Sequence, residues 1–413
     1  MKTSRNIRAA VLPTVLVTAS LMLLSVLALL ALWDADYLFF SRMRHLQAQR
    51  AYLGSAFALY AHDSLLLSRL GSDSSLLLFD SLPASRVRLG VRAWGLYELV
   101  MAIAQDTSMA SVRLLGQQRA SRYDGTLYYP DRVSSLSLTG NSVLEGRLLL
   151  PAHGIQYGQM RSVFFTGEPV DPSCIGFSGK DLPPVAAIAR RRVDGLLRTD
   201  DPCTVSAAGA DSLCRSFRNP QPIRLWLGAE ARLSGAVFCG HIALHAGALS
   251  IDSGCRLRDV VVVARTIRIG DGFRGSAQFF ASDSLIVGRR VELQYPSGLF
   301  LRGDRAQRYA EVGARSRVDG YVIVDGSGEP DIRKANYRQG ASAVVRGLLY
   351  VDGAAQVQGV VSGCAYLNLS AYYSAEGYYR DMLYNLAVIE NPAYAFPLWM
   401  QAPYRRKEAA CVD

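Results

Sequence analysis

Leu225-Trp226-Leu227-Gly228-Ala229-Glu230-Ala231-Arg232-Leu233-Ser234-Gly235-Ala236-Val237 carries the reading of this chain. Apolar residues alternate, a glycine interrupts, a few residues follow, and an apolar-x-Gly step opens a new alternation. A period of two assigns strands. The string recurs around Gly140 and Gly146, Gly270 and Gly275, Gly313 and Gly320, and Gly353 and Gly359, with a variant at Gly254 before Leu257-Arg258-Asp259. Short strands parted by glycine turns at unequal intervals predict a parallel β-helix: strands stack rung on rung, and glycines permit tight corners. Gly140, Gly146, Gly228, Gly235, Gly270, Gly275, Gly313, Gly320, Gly353 and Gly359 are the expected corners. A β-sandwich is the competing reading, but the Asn-Gly pair that marks its hairpins is absent.

The expected fold class is mainly β: a long N-terminal transmembrane helix, then a parallel β-helix (solenoid) closed by an aromatic C-terminal cap. Residues 1–8 form a cytoplasmic tail, 9–33 a transmembrane helix, 34–70 its extension and 71–125 a small α/β unit. The solenoid covers 126–365, with an irregular insertion at 172–222, and 366–413 form the cap and tail. The cap reading rests on Tyr366, Tyr372, Tyr373, Tyr378, Tyr379, Tyr384, Tyr394 and Trp399, since a solenoid end must be covered. Carbohydrate stacking is the alternative use of those rings.

Ala9–Trp33 is an uncharged apolar run that, as a helix, reaches about 37 Å and crosses a bilayer core. A cleaved signal peptide is the alternative, but the run exceeds an ordinary h-region. Lys2, Arg5 and Arg8 precede it and favour a cytoplasmic N-terminus. Phe39, Met43, Leu46, Leu53, Phe57, Tyr60 and Leu67 continue a helical stripe beyond it. Within the run, Thr14, Thr18 and Ser25 fall on one face and are the expected helix-packing residues.

Half of the 413 residues are hydrophobic and 19% charged, which excludes a disordered tail. The net charge of +10 is carried almost wholly by arginine, since only Lys2, Lys180, Lys334 and Lys407 are lysines. The arginines are scattered, the densest runs being Arg190-Arg191-Arg192 and Arg405-Arg406-Lys407, so no nucleic-acid partner is expected. Seven cysteines occur at irregular spacings without C-x-x-C, giving no zinc motif; Cys203 and Cys214 are the candidate disulfide, with burial as the alternative.

Motifs of zinc hydrolases, serine hydrolases and phosphate-binding loops are absent, and neither a catalytic residue, a metal nor a cofactor is expected. His241 and His245 read as surface histidines rather than ligands. Asp252, Asp259, Arg265, Asp271 and Asp283 are the residues a polysaccharide-cleaving site would draw on, though outward-facing solvated groups explain them as well. Arg302-Gly303-Asp304 spells an adhesion tripeptide that carries little weight in an Arg- and Gly-rich chain.

The stretch Arg8-Ala9-Ala10-Val11-Leu12-Pro13-Thr14-Val15-Leu16-Val17 resembles the opening of type IV pilin-like proteins, in particular the minor pseudopilins, with Thr14 where major pilins carry a helix-embedded Glu and Ala9 where the cleavage glycine stands. The repeating part resembles the polymer-forming, bactofilin-like β-helices. These resemblances imply a single-pass structural protein of the bacterial cell envelope, N-terminus inside and solenoid outside, within a pseudopilin-type secretion or pilus-like system. Membrane lipid and other envelope or pilin-like proteins are its expected partners. The alternatives are a polymerising scaffold or a surface polysaccharide-binding or polysaccharide-cleaving protein.

Overall fold

The computed structural model describes residues 8–62, 73–107, 109–118, 124–132, 135–198, 204–206, 212–304, 308–327, 333–374, 377–391, 393–401 and 405–412. The fold is mainly β, with one long apolar helix at its N-terminal side.

That helix, α1, is continuous over Arg8–His62, 55 residues. Pro13 lies inside it, past the first turn, and removes the amide that would have bonded the carbonyl of residue 9. From Leu12 to Arg44 every residue is exposed, whereas Leu53, Ala56, Phe57 and Tyr60 are buried. The steps of three, one and three put those four on one face.

They pack on an antiparallel sheet of β1 (Asp73–Leu77), β2 (Arg86–Trp94), β3 (Tyr97–Ala104), β4 (Ala110–Gln117) and the strand Arg406–Cys411, which pairs with β4. Val87, Leu89, Val100, Ala102 and Leu115 complete the core beneath α1.

The rest of the chain is dominated by parallel pairing that closes on itself around an apolar interior. One row of paired residues runs Val205, Leu225, Leu244, Val262, Phe279, Leu299, Val322, Leu349, Ala365, and then Leu127, Leu148 and Ile175. A second row joins Ala231, Leu249, Ile267, Leu285, Ala310, Tyr337 and Ala355. A third joins Leu293, Val318, Val345, Val361, Val388 and Leu144. From Leu225 onward in the first row, and throughout the other two, alternation puts these side chains inward and their neighbours outward.

The rows do not follow chain order throughout. Strands near 127–150 stack beyond those near 360–389, and the chain then returns through α2 (Ala187–Leu197) to start the opposite end at Thr204–Ser206. Residues 172–222 are therefore not a mere insertion: Ile175–Phe177 pairs with Leu148–Leu150 at one end, and Ser212–Arg215 pairs with Val237–Gly240 at the other.

Nor do residues 366–389 cap an end. Tyr366 lies between Tyr350 and Tyr128 in the ladder, so its row continues past it. Trp399 instead packs against Tyr350 and Tyr366 from outside, at ring distances of 5.3 and 4.9 Å. With β3, β4 and α2 it covers the outward face bearing Val261, Phe280, Phe300, Tyr321 and Leu348. The layers run α1, antiparallel sheet, outward face, interior.

Candidate functional site: the seat of the N-terminal helix

Tyr60 on α1, Glu98 on β3 and Arg406 on the C-terminal strand converge where the helix meets the sheet. Tyr60 Oη donates to Glu98 Oε2 at 2.9 Å. Arg406 donates from Nε to the same oxygen at 2.7 Å and from Nη2 to Oε1 at 3.3 Å. The fork-to-carboxylate geometry is the strong form of the pair. Arg192 of α2 reaches within 4.0 Å of Glu98, adding a fourth element.

Arg406 also lies 5.1 Å from the centre of the Tyr60 ring, and Arg113 lies 4.4 Å from that of Phe57 while bonding Glu408 at 2.7 Å. Burial first, then the Glu98 charge, pushes the Tyr60 phenol well above its ordinary range, so it stays a protonated donor. At the other end of the contact, His45 lies 2.6 Å from Asp106 in the turn after β3. This seat fixes a helix; it holds no reacting group.

A second network joins α2 to the parallel part. Asp325, fully buried, accepts two bonds from Arg190, at 2.7 and 3.0 Å, and one from Arg302 at 2.6 Å, while Arg302 also holds Asp194. The arginine of Arg302-Gly303-Asp304 is therefore occupied inside the protein.

His241 and His245 are 2% and 7% exposed, so they are core histidines and not a surface pair. The His241 ring lies 4.7 Å from that of Trp94 and 5.2 Å from that of Phe217. Its Nδ1 is 3.0 Å from the Asn219 carbonyl, which a neutral ring with the proton on Nδ1 satisfies. Burial, with help from Arg92 and Arg215 and against the Asn219 bond, brings its pKa down to about 4; burial also lowers that of His245.

Nearby, a cleft of ≈ 260 Å³ is lined by Arg215, Phe217, Arg258, Asp259 and the Cys214–Cys239 disulfide. That bond corrects the expected pairing: Cys214 is joined to Cys239, its partner in the parallel register, while Cys203 lies outside the described residues.

The carboxylates a cleaving site would need are dispersed. Asp252 bonds Arg232, Asp259 bonds Ser276, Asp271 accepts from the Arg289 amide, and Asp283 faces Arg265 at 3.5 Å. Each is engaged by a different partner, Asp259 and Asp283 within strands and Asp252 and Asp271 between them. No group of three or more His, Cys, Asp or Glu able to hold a metal occurs among the described residues.

Of the ten glycines expected at corners, Gly140, Gly146, Gly228, Gly235, Gly270 and Gly313 lie between strands, whereas Gly275, Gly320, Gly353 and Gly359 lie within them, and the ten divide by physical cause. Gly140, Gly146, Gly228, Gly235, Gly320 and Gly359 have positive φ. Gly270, Gly275, Gly313 and Gly353 do not; there a Cβ would press on Ile251 O, Leu257 O, Gly288 O and Asn336 Oδ1 respectively. Gly320 combines both demands, since its φ is 142° and a Cβ would fall on the Ser297 carbonyl. Gly347 repeats this above the Gly320 carbonyl.

Thr14, Thr18 and Ser25 are all exposed on α1. The Thr18 and Ser25 hydroxyls bond back to Val15 O at 3.0 Å and Met22 O at 2.8 Å. Spacing assigns Tyr60 to the helical stripe, whereas nothing in the sequence joins it to Glu98 and Arg406. Comparison of the chain with protein-family models, with curated proteins and with solved structures yields no match.

Proposed function

We propose that this is a single-pass membrane protein of structural function, which holds a three-sided parallel β-solenoid at an envelope surface. One observation carries the reading: α1 is apolar and uncovered over its first half, yet locked into the body over its last turns. Left in water, that half would expose more than a dozen large apolar side chains, which a soluble chain avoids. A bilayer removes the cost, and the Tyr60–Glu98–Arg406 seat makes the body follow the helix.

The solenoid reading is supported by three rows of inward apolar residues in parallel register around one interior. Placement outside the cytoplasmic membrane is supported by the basic residues before α1 and by the Cys214–Cys239 bond, which persists in oxidising compartments. The pilin-like role rests on the opening of the helix and on the Thr14, Thr18, Ser25 face. With Thr18 and Ser25 already bonded to their own helix, that face offers close approach rather than free hydroxyls.

A second reading, binding of an acidic saccharide, is favoured by the cleft at Arg215 and Arg258. Binding of an oligogalacturonate that is lost in Arg258→Gln would support it. The first reading is tested by reporters fused after Asp413: an alkaline phosphatase should be active and a cytoplasmic fluorescent protein dark. The reverse pattern overturns the proposed orientation.

A further inference from the structure

The end of the antiparallel sheet nearest the exposed half of α1 presents an ordered apolar loop. β1 ends at Leu77, opposite Arg86 of β2, and Val87 pairs with Ala104 just before the turn whose Asp106 meets His45. The β1–β2 loop thus lies at the same end of the sheet as the first contact of α1 with the body.

Its shape is set from within. Ser85 is fully buried; its hydroxyl donates to Leu82 O at 2.6 Å and accepts from the Phe79 amide at 3.1 Å, while Leu82 N bonds Phe79 O at 3.0 Å. Apolar residues alternate across it, Leu76 and Leu78 packing beneath α1. Leu77, Phe79 and Leu82 are left 36, 48 and 47% exposed.

We infer that this loop is a second membrane contact, resting on the lipid headgroups beside the helix. The inference depends on the membrane reading above. Trp33, Tyr37, Leu38, Phe39 and Phe40 are bare on all sides of α1, as suits an interfacial aromatic belt and not a one-sided protein contact. From Phe40 to His45 the helix rises about 7.5 Å, so the Asp106 corner of the sheet lies close above that belt, while Phe79 is held against α1 with its ring 6.2 Å from that of Tyr52.

Charge agrees with an anionic surface. Arg42, Arg44, Arg50, Arg86 and Arg88 are exposed around this end, against Asp34 and Asp36 within the belt, Asp80 on the loop and Asp106, which His45 engages, so the basic groups remain in excess. Lipid therefore completes the footing that α1 begins, and the body stands on two supports and does not swivel about one.

The test uses the full chain in vesicles of two parts phosphatidylcholine to one part phosphatidylglycerol, with bromine on the upper acyl carbons. Leu82→Trp in a Trp33→Phe background should lose at least half of its added emission relative to unbrominated vesicles. Phe79→Trp serves as the second probe. Unquenched probes alongside a quenched native Trp33 overturn the loop contact and leave the membrane span standing. A blue-shifted but unquenched probe assigns the loop to a protein surface and equally overturns it. If Trp33 itself is unquenched, the membrane reading fails, and the contact with it.

Discussion

Arg406 and Glu98, 308 positions apart in sequence, share a two-bond ion pair 11 and 9% exposed at the side chains, with the Tyr60 hydroxyl on the same carboxylate. The last described strand is thereby fastened to the N-terminal helix through β3. Removing one charge from such a pair strands the other without solvent.

Arg406→Met should lower stability by about 3–5 kcal/mol, read as a shift of the denaturation midpoint in detergent. Adding Glu98→Gln should restore part of it, because the uncompensated carboxylate is gone. A loss in the double variant equal to the sum of the two single losses would show that the pair is not coupled.

Gly320→Ala should cost more than about 3 kcal/mol, since positive φ and a carbonyl at the Cβ position act together. Gly235→Asn should change stability by less than about 1 kcal/mol: φ is 65°, nothing lies within 4 Å, and Asn tolerates this region. The two sites therefore separate crowding from backbone conformation, and similar losses at both would contradict the distinction.

Alternation and glycine spacing made the β content and the long helix legible, because both are local periodicities. Which strand neighbours which was not, since Leu127 pairs with Ala365 and no local pattern encodes a partner so distant. The same limit hid the disulfide. Cys203 is nearer in sequence, but Cys239 lies directly across the parallel ladder from Cys214, 25 positions on. His241 and His245 misled for a related reason: a face turned away from the interior reads as solvent until a second sheet is known to cover it. The seat at Tyr60, Glu98 and Arg406 was illegible because its members come from three distant segments.

Mass mapping of the unreduced chain should recover a Cys214–Cys239 crosslinked peptide. Cys239→Ser should cost about 3.5 kcal/mol, the loop-closure value for a separation of 25 residues. Cys203→Ser should leave the Cys214–Cys239 crosslink in place. A dominant Cys203–Cys214 peptide would overturn this pairing.

His241 makes stability fall in acid. Its folded pKa is depressed from 6.5 to about 4, so between those values the unfolded chain binds the proton and the folded one does not. The contribution is full above pH 6.5 and is lost as pH falls toward 4, on the order of 3 kcal/mol. His241→Phe, which keeps a ring between Trp94 and Phe217, should flatten the midpoint-versus-pH curve in that window. An unchanged slope would assign the acid sensitivity elsewhere.

The pairing of Leu127 with Ala365 imposes a timetable on biosynthesis. At ribosomal speeds of about 5–20 residues per second, the strand at Leu127 waits roughly 10–50 s for its neighbour to be made. Until then one flank of the earliest parallel strands is an unpaired edge, the state most open to chaperones, proteases and mispairing. A nascent chain stopped before Ala365 would lack a middle layer, not a dispensable tip. Premature termination anywhere short of that point should therefore yield a protein that is degraded whole, and not a shortened one that accumulates.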